Sequence, residues 1–304
     1  MTPPTRAGYV TLVGRPNAGK STLMNALVGA DLSIVTPRAQ TTWERVTGLV
    51  TRGDTQLILL DTPGLLQPRD LLQKSMLASA LLAVNEADVL LIVLDASRPS
   101  TAEHRRRLLE SIEPAPAPRL VAVNKVDAAS DEGVREALRF AREELGGAAF
   151  PVSALAGTGL EPLRTALEDS LPEGPFLFPA EDLASQPVRF FAAELVRETV
   201  FEQFREEIPW SVMARVEEFR EGQDPVYIGV SLFVERPSQK GILVGSGGSA
   251  IKALGREARR KIEHFTGRRV YLDLWVKVLP KWRRKRARLR RLGFHLPDET
   301  DAPS

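Results

Sequence analysis

Apolar positions in the first half of the chain fall into short β-rich runs separated by stretches of helical spacing. Residues 9–13, 55–60, 89–94, 120–123 and 150–152 read as strands, several of them apolar at successive positions, as in strands covered on both faces. Between them, residues 22–28, 65–83 and 131–145 carry their apolar side chains at three- and four-residue intervals, and a further helix is expected around Arg105. Strand and helix in alternation predict an α/β domain, a mostly parallel sheet with helices on both faces. The pattern changes after residue 171, where a Pro-bearing stretch over 172–187 predicts a linker. Beyond it, 189–208 reads as a helix with an acidic face, 211–219 and 226–234 as alternating strands, 249–265 as a helix and 269–278 as a last strand. With a Gly-rich loop joining two helices, that order is α-β-β-α-α-β. The chain thus divides into an α/β domain over 1–171, the linker, a smaller α+β domain with a basic extension over 188–295, and an acidic tail over 296–304.

Charge sharpens this division. The whole chain of 304 residues is close to neutral, at +2. Residues 1–235, however, hold 23 Lys and Arg against 33 Asp and Glu, whereas residues 236–295 hold 18 against 3. So lopsided a distribution predicts a polyanion as the partner of the C-terminal part. The chain has no cysteine, which excludes disulfides and thiolate chemistry. Its longest aliphatic run, 89–94, is too short to span a bilayer and no apolar signal core is visible, so a soluble cytoplasmic monomer is expected.

Chemistry-bearing residues sit where the strands end. After the first strand comes Gly14-Arg15-Pro16-Asn17-Ala18-Gly19-Lys20-Ser21-Thr22, and strand, Gly-rich loop and helix together make a phosphate-binding loop. Backbone N–H groups from Asn17 to Thr22 at the helix N-terminus would surround a β-phosphate, and Gly19 lets the backbone approach. Lys20 would neutralise the β- and γ-phosphates, and Ser21 offers a hydroxyl to Mg²⁺. The second strand delivers Asp61-Thr62-Pro63-Gly64, a carboxylate for Mg²⁺ and an N–H for a γ-phosphate. The fourth delivers Asn124-Lys125-Val126-Asp127. Asp127 can accept two hydrogen bonds from the imino and 2-amino groups of guanine, a donor pair that adenine lacks. Ser153-Ala154 follows the fifth strand, with the Ala154 N–H available to the guanine 6-oxo group.

This ordered set resembles the nucleotide-binding domain of the P-loop GTPases, and the Pro16-Asn17 pair with the Thr41-Thr42 doublet resembles their bacterial, ribosome-associated branch. The resemblance implies that GTP and GDP are the ligands and that Thr42 is the switch threonine meeting Mg²⁺ and γ-phosphate, with Thr41 as the alternative. It also implies a slow GTPase in which Lys20, Thr42, Asp61 and Gly64 carry catalysis. Leu65 stands where a Ras-like enzyme has a water-orienting Gln, and an apolar group cannot position water by hydrogen bonding. GTPases with the same replacement use the P-loop Asn to bind K⁺, which would give Asn17 that role. His104, beside Arg105-Arg106-Arg107, is expected on a solvated helix face.

In the C-terminal part, Gly245-Ser246-Gly247-Gly248 between Val244 and Ile251 forms a G-x-x-G signature, whose glycines let the backbone clamp single-stranded nucleotides. Lys252 opens the next helix. Lys281 to Arg291 holds eight cations in eleven residues, among them Lys281, Arg283, Arg284, Lys285 and Arg286, and phosphate neutralisation is the reading this density favours. Trp275, between Leu274 and Val276, is expected in the core. Over nearly its whole length the chain resembles the Era family of bacterial GTPases, an α/β P-loop GTPase domain followed by a type II KH domain. Glu207-Ile208-Pro209 and Leu274-Trp275-Val276-Lys277-Val278 add to the likeness. Trp43 departs from the basic residue that often follows the Thr doublet. The resemblance implies binding near the 3′ end of 16S ribosomal RNA, small-subunit assembly, and peripheral contact with the inner membrane. A second reading is a membrane-associated switch acting on a protein partner.

Overall fold

The computed structural model describes residues 4–296; Asp298, Glu299 and Asp301 of the acidic tail lie outside the described residues. The N-terminal domain runs β1 (Arg6–Val13), α1 (Lys20–Val28), β2 (Val46–Arg52), β3 (Thr55–Asp61), α2 (Leu71–Asn85), β4 (Val89–Asp95), α3 (Ala102–Ile112), β5 (Arg119–Asn124), α4 (Asp131–Phe140), β6 (Ala148–Pro151) and α5 (Leu160–Asp169). Its six strands lie in the order β2-β3-β1-β4-β5-β6, all parallel to their neighbours except β2, which pairs antiparallel with β3. Leu23, Met24, Leu163 and Leu167 of α1 and α5 cover Val10, Leu12, Leu57 and Leu59 on one face. Ala80 and Val84 of α2, Leu108 and Ile112 of α3 and Phe140 of α4 cover Leu90, Ile92 and Leu94 on the other. With helices on both faces, phosphate and base loops emerge together at the carboxyl ends of β1, β3, β5 and β6. The helix expected over 65–83 begins only at Leu71, where Asp70 accepts the Gln73 N–H at 2.9 Å as its N-cap, because Pro68 disfavours helix before it.

The Pro-bearing segment is strapped to this domain along its length. Gln56, fully buried on β3, accepts from the N–H groups of Leu177 and Phe178 and donates to the Phe178 carbonyl. Leu49 donates to the Leu183 carbonyl at 2.9 Å, so the strap also covers the β2 edge.

The second domain has α6 (Val188–Gln203), α7 (Ile208–Ser211), β7 (Met213–Arg220), β8 (Val226–Val234), α8 (Pro237–Val244), α9 (Ser249–Thr266) and β9 (Val270–Val278). The sheet runs β7-β8-β9, antiparallel then parallel. Val196, Val200, Leu243, Leu254, Ala258 and Ile262 from the helices bury Ile228, Val230 and Leu232. The helix expected over 189–208 ends at Gln203, where Phe204 turns extended, and a separate short helix follows over Ile208–Ser211 with Pro209 in its first turn, where its missing N–H is not needed. Trp275 is 40% exposed, against its expected place in the core. It points to the face opposite the helices, with Tyr271 and Lys277, and its ring lies against Gly229, where a Cβ would come within 2.9 Å. His104 is exposed on α3, on the solvated face where it was expected.

The basic extension, ending in α10 (Arg286–Arg291), is an interdomain wedge. Trp282, Leu289, Leu292 and Phe294 are buried against Trp43, Leu72 and Met76 of the first domain and Met213 of the second. Arg283 pairs with the α2 cap Asp70 at 2.6 Å. Among the described residues no helix is long and apolar enough to cross a membrane.

Candidate functional site

Two left-handed residues shape the phosphate loop. Asn17 has φ 63°, and Gly19 has φ 95° with a Cβ position only 2.3 Å from Asn124 Nδ2, so no side chain fits at Gly19. Lys20 opens α1, is nearly fully buried, and donates to the carbonyls of Gly14 and Arg15 at 3.3 Å each. Burial pushes its ammonium down from the ordinary value while the Asp61 carboxylate opposes the shift. Burial pushes Asp61 up, against the Lys20 charge and the Ser21 hydroxyl.

At the mouth of this loop three oxygen donors meet. Ser21 Oγ donates to Asp61 Oδ2 at 2.6 Å, and Thr42 Oγ1 lies 3.2 Å from Ser21 Oγ and 3.4 Å from Asp61 Oδ2. Of the Thr doublet it is therefore Thr42 that the fold brings to the site, while Thr41 is buried beside it. Asp61 Oδ1 is buried with no hydrogen-bond partner among the described residues. Two hydroxyls and a carboxylate with an orphaned oxygen suit a hard divalent cation that keeps part of its shell for phosphates and water. No cluster of three or more acidic, His or Cys ligands occurs among the described residues. Gly64 touches the loop so closely that a Cβ would sit 2.6 Å from Pro16 N, and the Leu65 N–H donates to the Gly14 carbonyl at 3.1 Å. The Leu65 side chain packs into the core with Val13, Ala80 and Leu90.

The base-facing loops are wired to the phosphate loop. Asn124 is buried; its Nδ2 donates to the Ala18 carbonyl at 3.0 Å and its Oδ1 accepts from the Ala154 N–H at 3.0 Å. That amide, expected to be available to the guanine 6-oxo group, is instead satisfied by Asn124. Lys125, at φ 66°, donates to the Asn17 carbonyl at 2.6 Å and to Asp95 Oδ2 at 2.9 Å. Asp95 at the end of β4 also pairs with Arg15 at 3.2 Å, so one buried carboxylate ties two cations of the site. Burial alone would push Asp95 up, but Ser97, Lys125 and Arg15 together hold it below the usual carboxylate range. Sequence reading missed Asp95 and Arg15; an Asp closing an otherwise apolar strand was the available signal. Asp127 stands exposed on the turn Val126–Ala128, while Ser153 is buried and accepts the Ala156 N–H through Oγ.

In the second domain, Gly245, Gly247 and Gly248 all have positive φ, at 71°, 56° and 79°, around the turn Ser246–Gly248 that joins α8 to α9. Gly245 is required by packing, since a Cβ would lie 2.7 Å from that of Ala250. Beside Gly247 and Gly248 the space is open, and the exposed Lys252 reaches over the loop. Lys281, Arg284 and Lys285 are exposed cations, and Arg286 is half-buried. Arg283 differs from the expectation of a phosphate contact, its charge being committed to Asp70.

Phosphate loop, cation donors and base loop on a mostly parallel sheet, followed by an α-β-β-α-α-β unit with an open G-x-x-G turn, define a P-loop GTPase joined to a KH domain. Family models agree, matching a 50S ribosome-binding GTPase model at residues 9–125 and a KH domain model at residues 207–283. The chain belongs to the GTPase Era family and is a GTPase. It is 40% identical to GTPase Era of Carboxydothermus hydrogenoformans, covering 95% of this chain and 98% of that one, and 37% identical to that of Afipia carboxidovorans, covering 97% and 96%. Among solved structures, a point variant of Aquifex aeolicus Era bound to GDP and AlF4⁻ superposes with a TM-score of 0.89 at 36% identity, covering 96% of this chain and all of that one. An Era complex with MgGDPNP and nucleotides 1506–1542 of 16S ribosomal RNA gives 0.90 at 36% identity, with the same coverage.

Proposed function

We propose that this GTPase binds the 3′ end of 16S ribosomal RNA through its KH domain and serves small-subunit assembly, with the nucleotide state gating the RNA site. The observation that carries this is the open G-x-x-G turn, three glycines of positive φ with Lys252 beside Gly248, in the part of the chain where cations far outnumber anions. The solved Era complex with a 16S fragment supports the choice of RNA. On this reading Asn17 to Thr22 cradle the phosphates, and Lys20 leaves the Gly14 and Arg15 carbonyls to pair with β- and γ-phosphate oxygens. Ser21, Thr42 and Asp61 would hold Mg²⁺, which supplies charge neutralisation at those oxygens. The Gly64 N–H meets the γ-phosphate, and Asn124, Lys125, Asp127, Ser153 and Ala154 form the base pocket, the Ala154 N–H leaving Asn124 Oδ1 for the guanine 6-oxo group. A labelled 3′-terminal 16S fragment, titrated against a scrambled strand of equal length, is expected to bind at least about tenfold more tightly. Equal affinities would overturn the RNA assignment.

Hydrolysis needs a charge device, because Leu65 is packed away from water. We assign it to K⁺ beside Asn17, whose backbone is fixed by Lys125 and whose side-chain amide joins no hydrogen bond among the described residues. Hydrolysis should run faster in K⁺ than in Na⁺ at matched ionic strength, with the difference lost in Asn17→Ala. Equal wild-type rates in the two salts would remove K⁺ from the mechanism. The protein acts as a cytoplasmic monomer on this reading. Contact of the basic run with the inner membrane would depend on charge, since Trp282 and Leu289, its large apolar side chains, are buried.

A further inference from the structure

The KH domain grips the first switch segment from outside the nucleotide site. Trp210 donates to the Ala39 carbonyl at 3.0 Å, and Arg38 donates to the Phe204 carbonyl at 2.7 Å. The deepest hold is Arg197 of α6, which is 1% exposed. Its Nε and Nη2 donate to Glu194 at 2.9 and 2.7 Å, Nη2 also donates to the Thr41 carbonyl, and the guanidinium lies 4.5 Å over the Trp43 ring. Thr42 is thereby bracketed on both sides by groups that Arg197 holds. Burying a cation is costly even with Glu194 paired to it and the half-buried Glu44 facing it, and Arg197 Nη1 is buried without a hydrogen-bond partner among the described residues. A well-packed apolar side chain would join the domains at lower cost, so the charge points to a task at Thr41–Trp43.

We infer that Arg197 is a positioning residue for GTP hydrolysis, contributed by the RNA-binding domain, which keeps the Thr42 hydroxyl turned toward Ser21 and Asp61. The inference rests on the reading of Thr42 as the switch ligand. It makes the hydrolysis rate sensitive to any shift of α6 relative to the GTPase domain, which is where an RNA on the KH domain would act. The guanidinium is needed for its shape as well as its charge, because only a planar group can stack on Trp43 while donating in two directions.

The test uses the full chain and measures single-turnover hydrolysis against Mg²⁺ concentration, together with GDP affinity and thermal midpoint. Arg197→Gln is expected to slow hydrolysis about tenfold and raise the Mg²⁺ requirement, with GDP affinity kept because, on that reading, Thr42 meets the γ-phosphate that GDP lacks. Arg197→Lys should not restore the rate. Glu194→Gln keeps Arg197 but loosens it, should fall between, and decides the matter if Arg197→Gln does not fold. Wild-type rates and Mg²⁺ dependence in the Arg197 and Glu194 variants would overturn the inference. So would a slowing matched by equal losses of GDP affinity and thermal midpoint, which would make Arg197 a structural anchor. Thr42→Ala separates the two readings. A wild-type rate there removes Thr42 from the mechanism, whereas a slow Thr42→Ala beside normal Arg197 variants removes Arg197 alone.

Discussion

Replacing Asp127 by Asn is expected to turn the base preference of the pocket from guanine to xanthine. The ionised carboxylate accepts from both the imino N–H and the 2-amino group of guanine, a charge-assisted bidentate pair. An amide accepts once and donates once, so it opposes the 2-amino group but complements the 2-oxo group of xanthine. Sites built on such a pair reject a mismatched ligand by roughly 10³-fold or more, about 4 kcal/mol. The change should stay local. Asp127 is exposed on its turn, while the loop is held by other residues, Asn124 through the Ala18 carbonyl and the Ala154 N–H and Lys125 through Asn17 and Asp95. Titrating wild type and variant with labelled guanosine and xanthosine triphosphates measures both arms. Equal weakening toward the two nucleotides, in folded protein, would take Asp127 out of base reading.

Gly248→Asp should severely weaken RNA binding and leave the nucleotide site intact. At φ 79° an Asp is tolerated with a strain of about 1–2 kcal/mol, and only Lys252 Cε, at 3.9 Å, comes near the new Cβ. The domain should therefore fold. The carboxylate would stand where the sugar-phosphate backbone approaches and would draw Lys252 to itself, so a loss of roughly 100-fold in RNA affinity is expected, about 3 kcal/mol. Neutralising the exposed Arg284 and Lys285 should act differently, weakening all sequences alike and flattening the salt dependence by about 0.7 units per lost single-strand contact. Arg283 is left out of that variant because removing its pairing with Asp70 would disturb the wedge as well. RNA affinity measured against salt, beside GTP affinity, reads both effects. Wild-type RNA binding by Gly248→Asp would reduce the G-x-x-G to a helix-joining turn.

What was legible in the chain was local. Apolar runs ending in Asp61, Asn124 and Ser153 declared strands whose carboxyl ends carry the chemistry, because a strand and the loop after it are a few residues apart. Glycines with positive φ at 19, 245, 247 and 248 marked loops that approach a ligand or a neighbouring backbone, since only glycine takes those conformations without cost. Trp275 was misplaced although its period was readable. Alternation put it on one face with Tyr271 and Lys277, and only the packing of the helices on the opposite face decided which side met solvent.

The sequence by itself determined the two domain types, the phosphate loop, the base loop and the G-x-x-G turn, because each is a short-range pattern with its own backbone requirement. Tertiary structure alone decided how they are joined. It turned the apolar positions of the basic run into the buried contact of Trp282 with Trp43, gave Arg283 to Asp70, closed the Ala154 amide with Asn124, and set Arg197 beside the Thr doublet. Each of these pairs residues far apart in the chain, and such pairs form only when whole elements pack. Burial then selects the partners, because an unpaired charge or amide inside the fold is costly, and that selection leaves no periodic trace in the sequence.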